Sequence, residues 1–157
     1  MKVIKKISLL LVVVLVAMQF FSPTKNISAG NHVSVFVKET NPSSELKKIF
    51  KTSCYDCHSN NTAYPWYNNV APISFWLAEH VNEGKDHLNF SEWENYSLDK
   101  KDHLLEEIEK EVLNGAMPIT EYTFFHSEAD LSKDQINDVV DWVKRTRIIY
   151  QLGKQPK

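Results

Sequence analysis

The only two cysteines of the chain lie three positions apart, and a histidine follows the second directly, in the segment Cys54-Tyr55-Asp56-Cys57-His58. Two thiols at this spacing can each form a thioether with one of the two vinyl groups of a haem. The adjacent imidazole can then bind the iron as its proximal ligand. The CxxCH segment (residues 54–58) therefore predicts one covalently attached haem c, held by Cys54 and Cys57 and ligated by His58.

Three other sites could use the same cysteines. A thioredoxin-type redox pair follows a strand and opens a helix, whereas this chain has few strand signals and places the pair after a helical pattern. A zinc site would need two further histidine ligands at suitable spacing, and no second pair of ligands has that spacing. A structural disulfide between residues so close together is rare. Haem attachment is the interpretation that the pattern favours.

The N-terminus has the features of a membrane-targeting segment. Three lysines in the first six residues precede an apolar run over residues 7–21, which is long for the core of a signal peptide and short for a span of about 20 residues. The best cleavage site, Ile27-Ser28-Ala29, has a bulky first residue. We expect residues 1–21 to be an uncleaved anchor or a cleaved signal peptide. Either would place the rest of the chain on the periplasmic side of the bacterial inner membrane, where haem c is attached.

The remainder of the chain predicts a linker followed by one mostly α domain. Residues 22–40 are expected to form the linker, with a short extended piece where valines alternate with other residues at 33–37, and residues 41–153 the domain. The formal net charge of −2 argues against a nucleic-acid binder, which would carry a basic face.

Apolar spacing predicts four main helices in the domain. They cover residues 42–53, 72–83, 98–113 and 132–151. Asn41 is the expected N-cap of the first, which delivers Cys54 at its end. Gly84 is expected to end the second. Ser132 and Gln135 form a capping box at the start of the last.

Met117 is the methionine that follows the targeting segment, and it lies between a helix-ending glycine and Pro118. A thioether is a soft, neutral ligand for haem iron, so the sequence predicts Met117 as the distal ligand. The alternatives are His80, His126 and an open position. His80 shares the apolar face of the second predicted helix, although hydrogen bonding to backbone or to a propionate is the more usual role for such a histidine.

The loop after the CxxCH segment is rich in aromatic residues. Tyr64 and Trp66 are candidates to pack on the haem or to donate a hydrogen bond to a propionate, as is Tyr67, with simple loop packing as the alternative for each.

The order of these features is similar to that of class I c-type cytochromes. Residues from about 42 to 150 resemble more closely the small bacterial haem-binding domain family, in the stretches 54–60, 64–67, 76–81, 88–93 and 117–118. The long insert between the CxxCH segment and Met117 departs from a minimal cytochrome c. The resemblance implies a helical, cytochrome c-like domain around one haem c. With His58 and Met117 as ligands, we expect one-electron transfer with redox partner proteins rather than catalysis. A haem-based sensor or a peroxidase-type enzyme, with an open or histidine-ligated distal site, is the alternative.

Overall fold

The computed structural model describes residues 2–153, and every regular element in this range is helical. The α-helices are α1 (Lys2–Met18), α2 (Ser34–Thr40), α3 (Ser44–Ser53), α4 (Tyr55–His58), α5 (Ile73–His87), α6 (Leu98–Leu113), α7 (Thr120–Phe125) and α8 (Lys133–Gly153). Short 3-10 turns cover Trp66–Asn69, Phe90–Asn95 and Ser127–Ala129. The prediction of a mostly α chain is confirmed.

Phe36 of α2 is in the middle of the aromatic core. Its ring lies 4.5 Å from that of Phe90, 5.0 Å from Trp93, 5.5 Å from Phe50 and 5.9 Å from Trp142, measured between centroids. Mostly edge-on contacts of this kind stabilise by about 0.5–1.5 kcal/mol beyond the burial of area. The core therefore joins α2, α3, α8 and the turn at Phe90–Asn95 in one cluster.

The extended piece expected at residues 33–37 is wrong, because Ser34–Thr40 forms a helix. Val33, Phe36 and Thr40 fall at helical spacing and all three are buried. In the sequence, the alternation of valines with other residues made this helical face hard to recognise. Burial of Phe36, which is 0% exposed, gives this short segment a tertiary reason to be helical.

The expected N-cap of the next helix is also wrong. Asn41 ends α2 in a left-handed conformation, with φ of 43°. Ser43 is the N-cap of α3 instead, and its side chain accepts a hydrogen bond from the backbone N–H of Leu46. Asparagine suits either position, since it tolerates the left-handed region more readily than most residues do.

The later helices agree with the sequence-based boundaries except for α5. The predicted helix over 98–113 is confirmed, and α8 begins with the predicted capping box, in which Ser132 and Gln135 exchange hydrogen bonds. Helix α5 does not end near Glu83 as predicted. It continues through Gly84 to His87.

A buried ionic network holds α2 against the pair formed by α6 and α8. Lys101 has a side chain only 8% exposed, and it donates to both carboxylate oxygens of Glu39, at 2.8 and 2.9 Å. Tyr150 donates to the same carboxylate at 2.8 Å and accepts from the indole N–H of Trp93. The buried ammonium is thereby paired, as a charge removed from water must be.

Helix α1 has no buried residue. Within residues 2–153, no helix combines the length and the apolar character needed to cross a membrane. The chain after α1 nevertheless contacts the domain, since the Gln19 side chain hydrogen bonds with the backbone of Ala71.

Candidate haem site

The CxxCH segment forms a single helical turn directly after α3. Cys54 ends α3, where its N–H donates to Phe50 O at 3.0 Å, and it also begins α4. The N–H of His58 donates back to Cys54 O at 2.9 Å, which closes the turn. Helix α3 thus delivers Cys54 at its end, as predicted, and α4 orients Cys57 and His58 against α5.

His58 is held by two backbone carbonyls through one ring nitrogen. Nδ1 lies 2.8 Å from Gly84 O and 3.0 Å from Leu88 O. Both partners can only accept, so Nδ1 carries the proton and Nε2 keeps its lone pair. Burial lowers the pKa of His58, and the two carbonyl hydrogen bonds oppose this effect only in part. The imidazole is therefore neutral and oriented, which is the form that binds a metal.

Gly84 allows this contact because it has no side chain. A Cβ at this position would lie 2.7 Å from Cys57 O and 3.0 Å from Cys57 Cβ. Any other residue would push α5 away from α4, and with it the carbonyl that accepts from His58. From the sequence, Gly84 was expected only to end the second predicted helix. A glycine inside a helix costs about 1 kcal/mol relative to alanine, and that cost is the signal by which a packing role could have been predicted.

Both cysteines are free thiols and both are half-buried. Burial raises the pKa of Cys54 to about 12, with a contribution from Cys57, and raises that of Cys57 to about 11, with a contribution from Asp56. The thiols are therefore protonated at neutral pH. A redox-active cysteine pair has the opposite property, a lowered thiol pKa. Among the described residues, no group of three or more histidine, cysteine or acidic side chains could hold a metal ion, so the zinc alternative gains no support.

Asp56, inside the CxxCH segment, connects this segment to two others. One carboxylate oxygen accepts from the N–H of Ala63 at 3.0 Å, and the other accepts from the hydroxyl of Tyr122 at 2.8 Å. The backbone oxygen of Asp56 accepts from the Thr62 hydroxyl at 2.6 Å. These roles of Asp56 and Tyr122 were not predicted, because the segments they join are far apart in the chain.

The comparison with known protein families agrees with this geometry. The family model described as "Haem-binding domain" matches residues 13–145. The chain belongs to the haem-binding domain family. No curated protein and no solved structure matches it. Membership supports haem as the cofactor of this chain, and the site fits that cofactor, since a neutral imidazole with a free Nε2 follows two half-buried free thiols.

Two predicted contacts of this haem-binding domain lie in the loop that follows the CxxCH segment. The hydroxyl of Tyr64 accepts a hydrogen bond from the N–H of Asn26 at 2.7 Å. Trp66 is 80% exposed and rests edge-on against Tyr67. Haem contacts by Tyr64 and Trp66 stay predictions.

Asn26 lies in the expected linker, and no role was predicted for it from the sequence. Its backbone oxygen accepts from the N–H of Thr62, and its side chain donates to Ser59 O at 2.8 Å and to the Thr62 hydroxyl at 3.0 Å. Lys85 of α5 donates to the side-chain oxygen of Asn26 at 2.9 Å. Residue 26 thereby fastens the loop after the CxxCH segment to α5.

Met117 follows α6 in the segment that leads to α7. Its N–H donates to Glu111 O, and its side chain is 38% exposed. Five residues later, Tyr122 bonds to Asp56 and lies 3.2 Å from Thr52 O. The segment that begins at Met117 therefore reaches the CxxCH segment within one short helix.

The two histidine alternatives for the distal position are differently placed. His80 stands one turn before Gly84 on α5, with Nδ1 2.9 Å from Trp76 O and its ring against that indole. Helix α5 contacts the Nδ1 side of the His58 ring. His80, which is on α5, therefore lies on the side of the imidazole away from Nε2. His126 has Nε2 within hydrogen-bond distance of the Tyr67 hydroxyl, at 3.0 Å, whereas Nδ1 lies 3.6 Å from the Glu128 carboxylate, too far for a hydrogen bond.

Proposed function

We propose that this haem-binding domain carries one haem c, attached through Cys54 and Cys57, and acts in one-electron transfer. The observation that carries the proposal is the orientation of His58. Its Nδ1 proton is shared by two carbonyl oxygens, so Nε2 faces away from α5, and His58 directly follows Cys57 in the chain. When bound, the haem supplies an iron that exchanges one electron between its ferrous and ferric states.

Met117 is the distal ligand in this proposal. His80 is on the helix behind His58, and Nε2 of His126 already lies 3.0 Å from the Tyr67 hydroxyl. Met117 is on the segment that Tyr122 fastens to the CxxCH segment. A histidine and a methionine together raise the reduction potential of a haem iron, which suits an electron carrier.

The role of the chain in electron transfer is to hold the two ligands in fixed positions. Gly84 and Leu88 orient the imidazole, and the Asp56–Tyr122 hydrogen bond positions the segment after Met117. A site that changes little between oxidation states exchanges an electron with little reorganisation. No proton transfer by these residues is required.

The domain is exported and tethered in this proposal. Three lysines in the first turns of α1 precede its apolar stretch. Gln19 and Asn26 contact the domain on the N-terminal side of the candidate cleavage site at residues 27–29, which favours an uncleaved anchor. With such an anchor, the domain would lie on the periplasmic side of the inner membrane. Its redox partner proteins would present basic patches, since the formal charge of the chain is −2.

Absorption spectra and mass spectrometry of protein co-expressed with a c-type maturation system test the proposal. We expect a mass increase of one haem, which is lost when Cys54→Ala and Cys57→Ala are combined. The wild type should be six-coordinate and low-spin, with a methionine–iron charge-transfer band in the oxidised form. Met117→Ala should lose this band, and the matched variant His80→Ala should keep it.

Two results would overturn the proposal. Haem that stays bound covalently in the double cysteine variant would rule out this mode of attachment. A high-spin wild type that binds carbon monoxide readily would instead favour a haem-based sensor or a peroxidase-type enzyme. This second function is included in the test because the side chain of Met117 is partly exposed.

A further inference from the structure

Four aromatic residues form an exposed surface on the domain. Trp66 is 80% exposed, Phe124 80% and Phe125 63%. Tyr67 links them, since its ring lies 5.8 Å from Trp66 and 5.2 Å from Phe125, and Phe125 lies 5.0 Å from Phe124. This aromatic surface (Trp66, Tyr67, Phe124 and Phe125) joins two segments that are far apart in sequence. Exposed apolar patches of this kind mark interaction sites.

Helix α1 is fastened to the domain next to this surface. The Gln19 amide donates to Ala71 O at 3.1 Å and accepts from the Ala71 N–H at 3.1 Å, as one backbone strand would pair with another. Ala71 follows the turn Trp66–Asn69 by two residues. The paired hydrogen bonds therefore attach the end of α1 to the segment that follows Trp66 and Tyr67.

The apolar character of α1 continues onto the domain at this junction. Phe20 and Phe21 are 84% and 68% exposed directly after Gln19. Val70 and Ile73, on either side of Ala71, are 41% and 42% exposed. One apolar region thus extends from a helix without buried residues, across the junction, to the turn that carries Trp66.

A lipid bilayer is the occupant that suits this region. The lysines of α1 are at the end remote from the domain, as in a segment that enters a membrane. Tryptophan and other aromatic rings are favoured where hydrocarbon meets headgroups. Lys25 lies near Tyr64 and Asn69, close to the junction, where an ammonium group would meet lipid phosphate.

We propose that the aromatic surface lies in the interfacial layer of the bilayer that holds α1, so that the haem-binding domain has a fixed orientation on the membrane. This inference rests on the membrane tether of the proposed function. It adds the face of the domain that contacts lipid and the residue pair, Gln19 and Ala71, that sets the orientation.

Photo-crosslinking of the full haem-loaded chain in vesicles of phosphatidylcholine and phosphatidylglycerol tests this orientation. The probe is a phosphatidylcholine with a photoreactive group near the headgroup, and crosslinked residues are mapped by mass spectrometry. We expect crosslinks on α1 and, at several-fold higher yield than on Ile148 and Ile149, on Trp66 and Phe124. The two isoleucines of α8 are a matched reference, since they are 56% and 66% exposed.

A variant of the junction separates orientation from attachment. Gln19→Ala should reduce crosslinking of Trp66 and Phe124 several-fold while crosslinking of α1 is unchanged. Crosslinks on α1 with none above the reference on the aromatic surface would overturn the proposal and leave the tether intact. An absence of crosslinks on α1 would refute the tether and the proposal together.

The same surface could instead contact the haem or a second protein molecule, and two measurements distinguish these alternatives from membrane contact. Phe124→Ser should leave the haem content and the oxidised spectrum unchanged, and a loss of either would assign the surface to the haem pocket. Protein–protein crosslinks through Trp66 that rise with protein concentration would assign it to self-association. Either result would overturn the proposal.

Discussion

Tyr122 donates its hydroxyl proton to the carboxylate of Asp56 across 66 positions of sequence, at 2.8 Å. Burial raises the pKa of Tyr122, and the Asp56 charge raises it further, so the phenol remains a donor throughout the physiological range. This hydrogen bond connects the segment that follows Met117 to the CxxCH segment. If Met117 binds the iron, its position depends on this bond.

Removing the Tyr122 hydroxyl is the first test of that connection. We expect Tyr122→Phe to lower the free energy of unfolding by about 1.5–3 kcal/mol, the usual range for a hydrogen bond to a charged group. In the haem-loaded protein, the same variant should bind added imidazole more tightly, because the Met117 segment moves more freely. Urea denaturation and imidazole titration measure the two effects. The matched variant Thr123→Ala, which removes an exposed hydroxyl that bonds only within α7, should change neither. A double-mutant cycle with Asp56→Asn that gives no coupling energy would show that the contact does not act as described.

Replacing Gly84 with alanine should destabilise the domain, although the same change elsewhere in a helix stabilises it. An added Cβ would lie 2.7 Å from Cys57 O, and backbone atoms there cannot rotate away. We expect a net loss of roughly 1–3 kcal/mol in the free energy of unfolding, as for other overpacked sites. Thermal or urea unfolding of the haem-loaded protein measures it. Gly153→Ala is the control, because the nearest atom to its added Cβ is 3.9 Å away, and it should show no loss. Equal stabilities of the two variants would refute the close-approach role of Gly84.

Truncation of Phe36 tests whether the residues before position 41 contribute to the core. Phe36→Ala should cost about 3–5 kcal/mol of unfolding free energy, the usual cost of truncating a buried phenylalanine. The neighbouring Val35 is 37% exposed, so Val35→Ala should cost less than about 1 kcal/mol. Chemical denaturation of both variants provides the comparison. Similar small losses for both would mean that α2 is a loosely attached linker.

The environment of His58 predicts how the haem-free protein responds to acid. Burial lowers the pKa of His58 in the folded chain below its usual value of about 6.5. As the pH falls below the unfolded value, the unfolded chain takes up a proton that the folded chain excludes, so stability is lost. Denaturation midpoints between pH 7.5 and 5.5 should therefore fall less steeply for His58→Asn than for the wild type. His103→Asn is the control, since this exposed histidine pairs only with Glu107 on its own helix. A wild-type slope that His58→Asn leaves unchanged would contradict this assignment.

Local sequence patterns determined the helices and the cofactor class of this protein. The capping box at Ser132 and Gln135 and the boundaries of α6 depend on residues three or four positions apart, and the structure confirms them. The haem prediction from the CxxCH segment agrees with the family match over residues 13–145. Such features are readable because the chemistry requires neighbours in sequence.

Tertiary packing alone decided the environment of that segment. His58 is oriented by backbone oxygens 26 and 30 positions away, and a backbone carbonyl has no signature in the sequence. The helix around Phe36 forms where alternation suggested an extended strand, because a buried ring outweighs local preference in a short segment. Gly84 has no side chain to mark its role, and that role became visible only when two helices were found close enough for the missing side chain to matter.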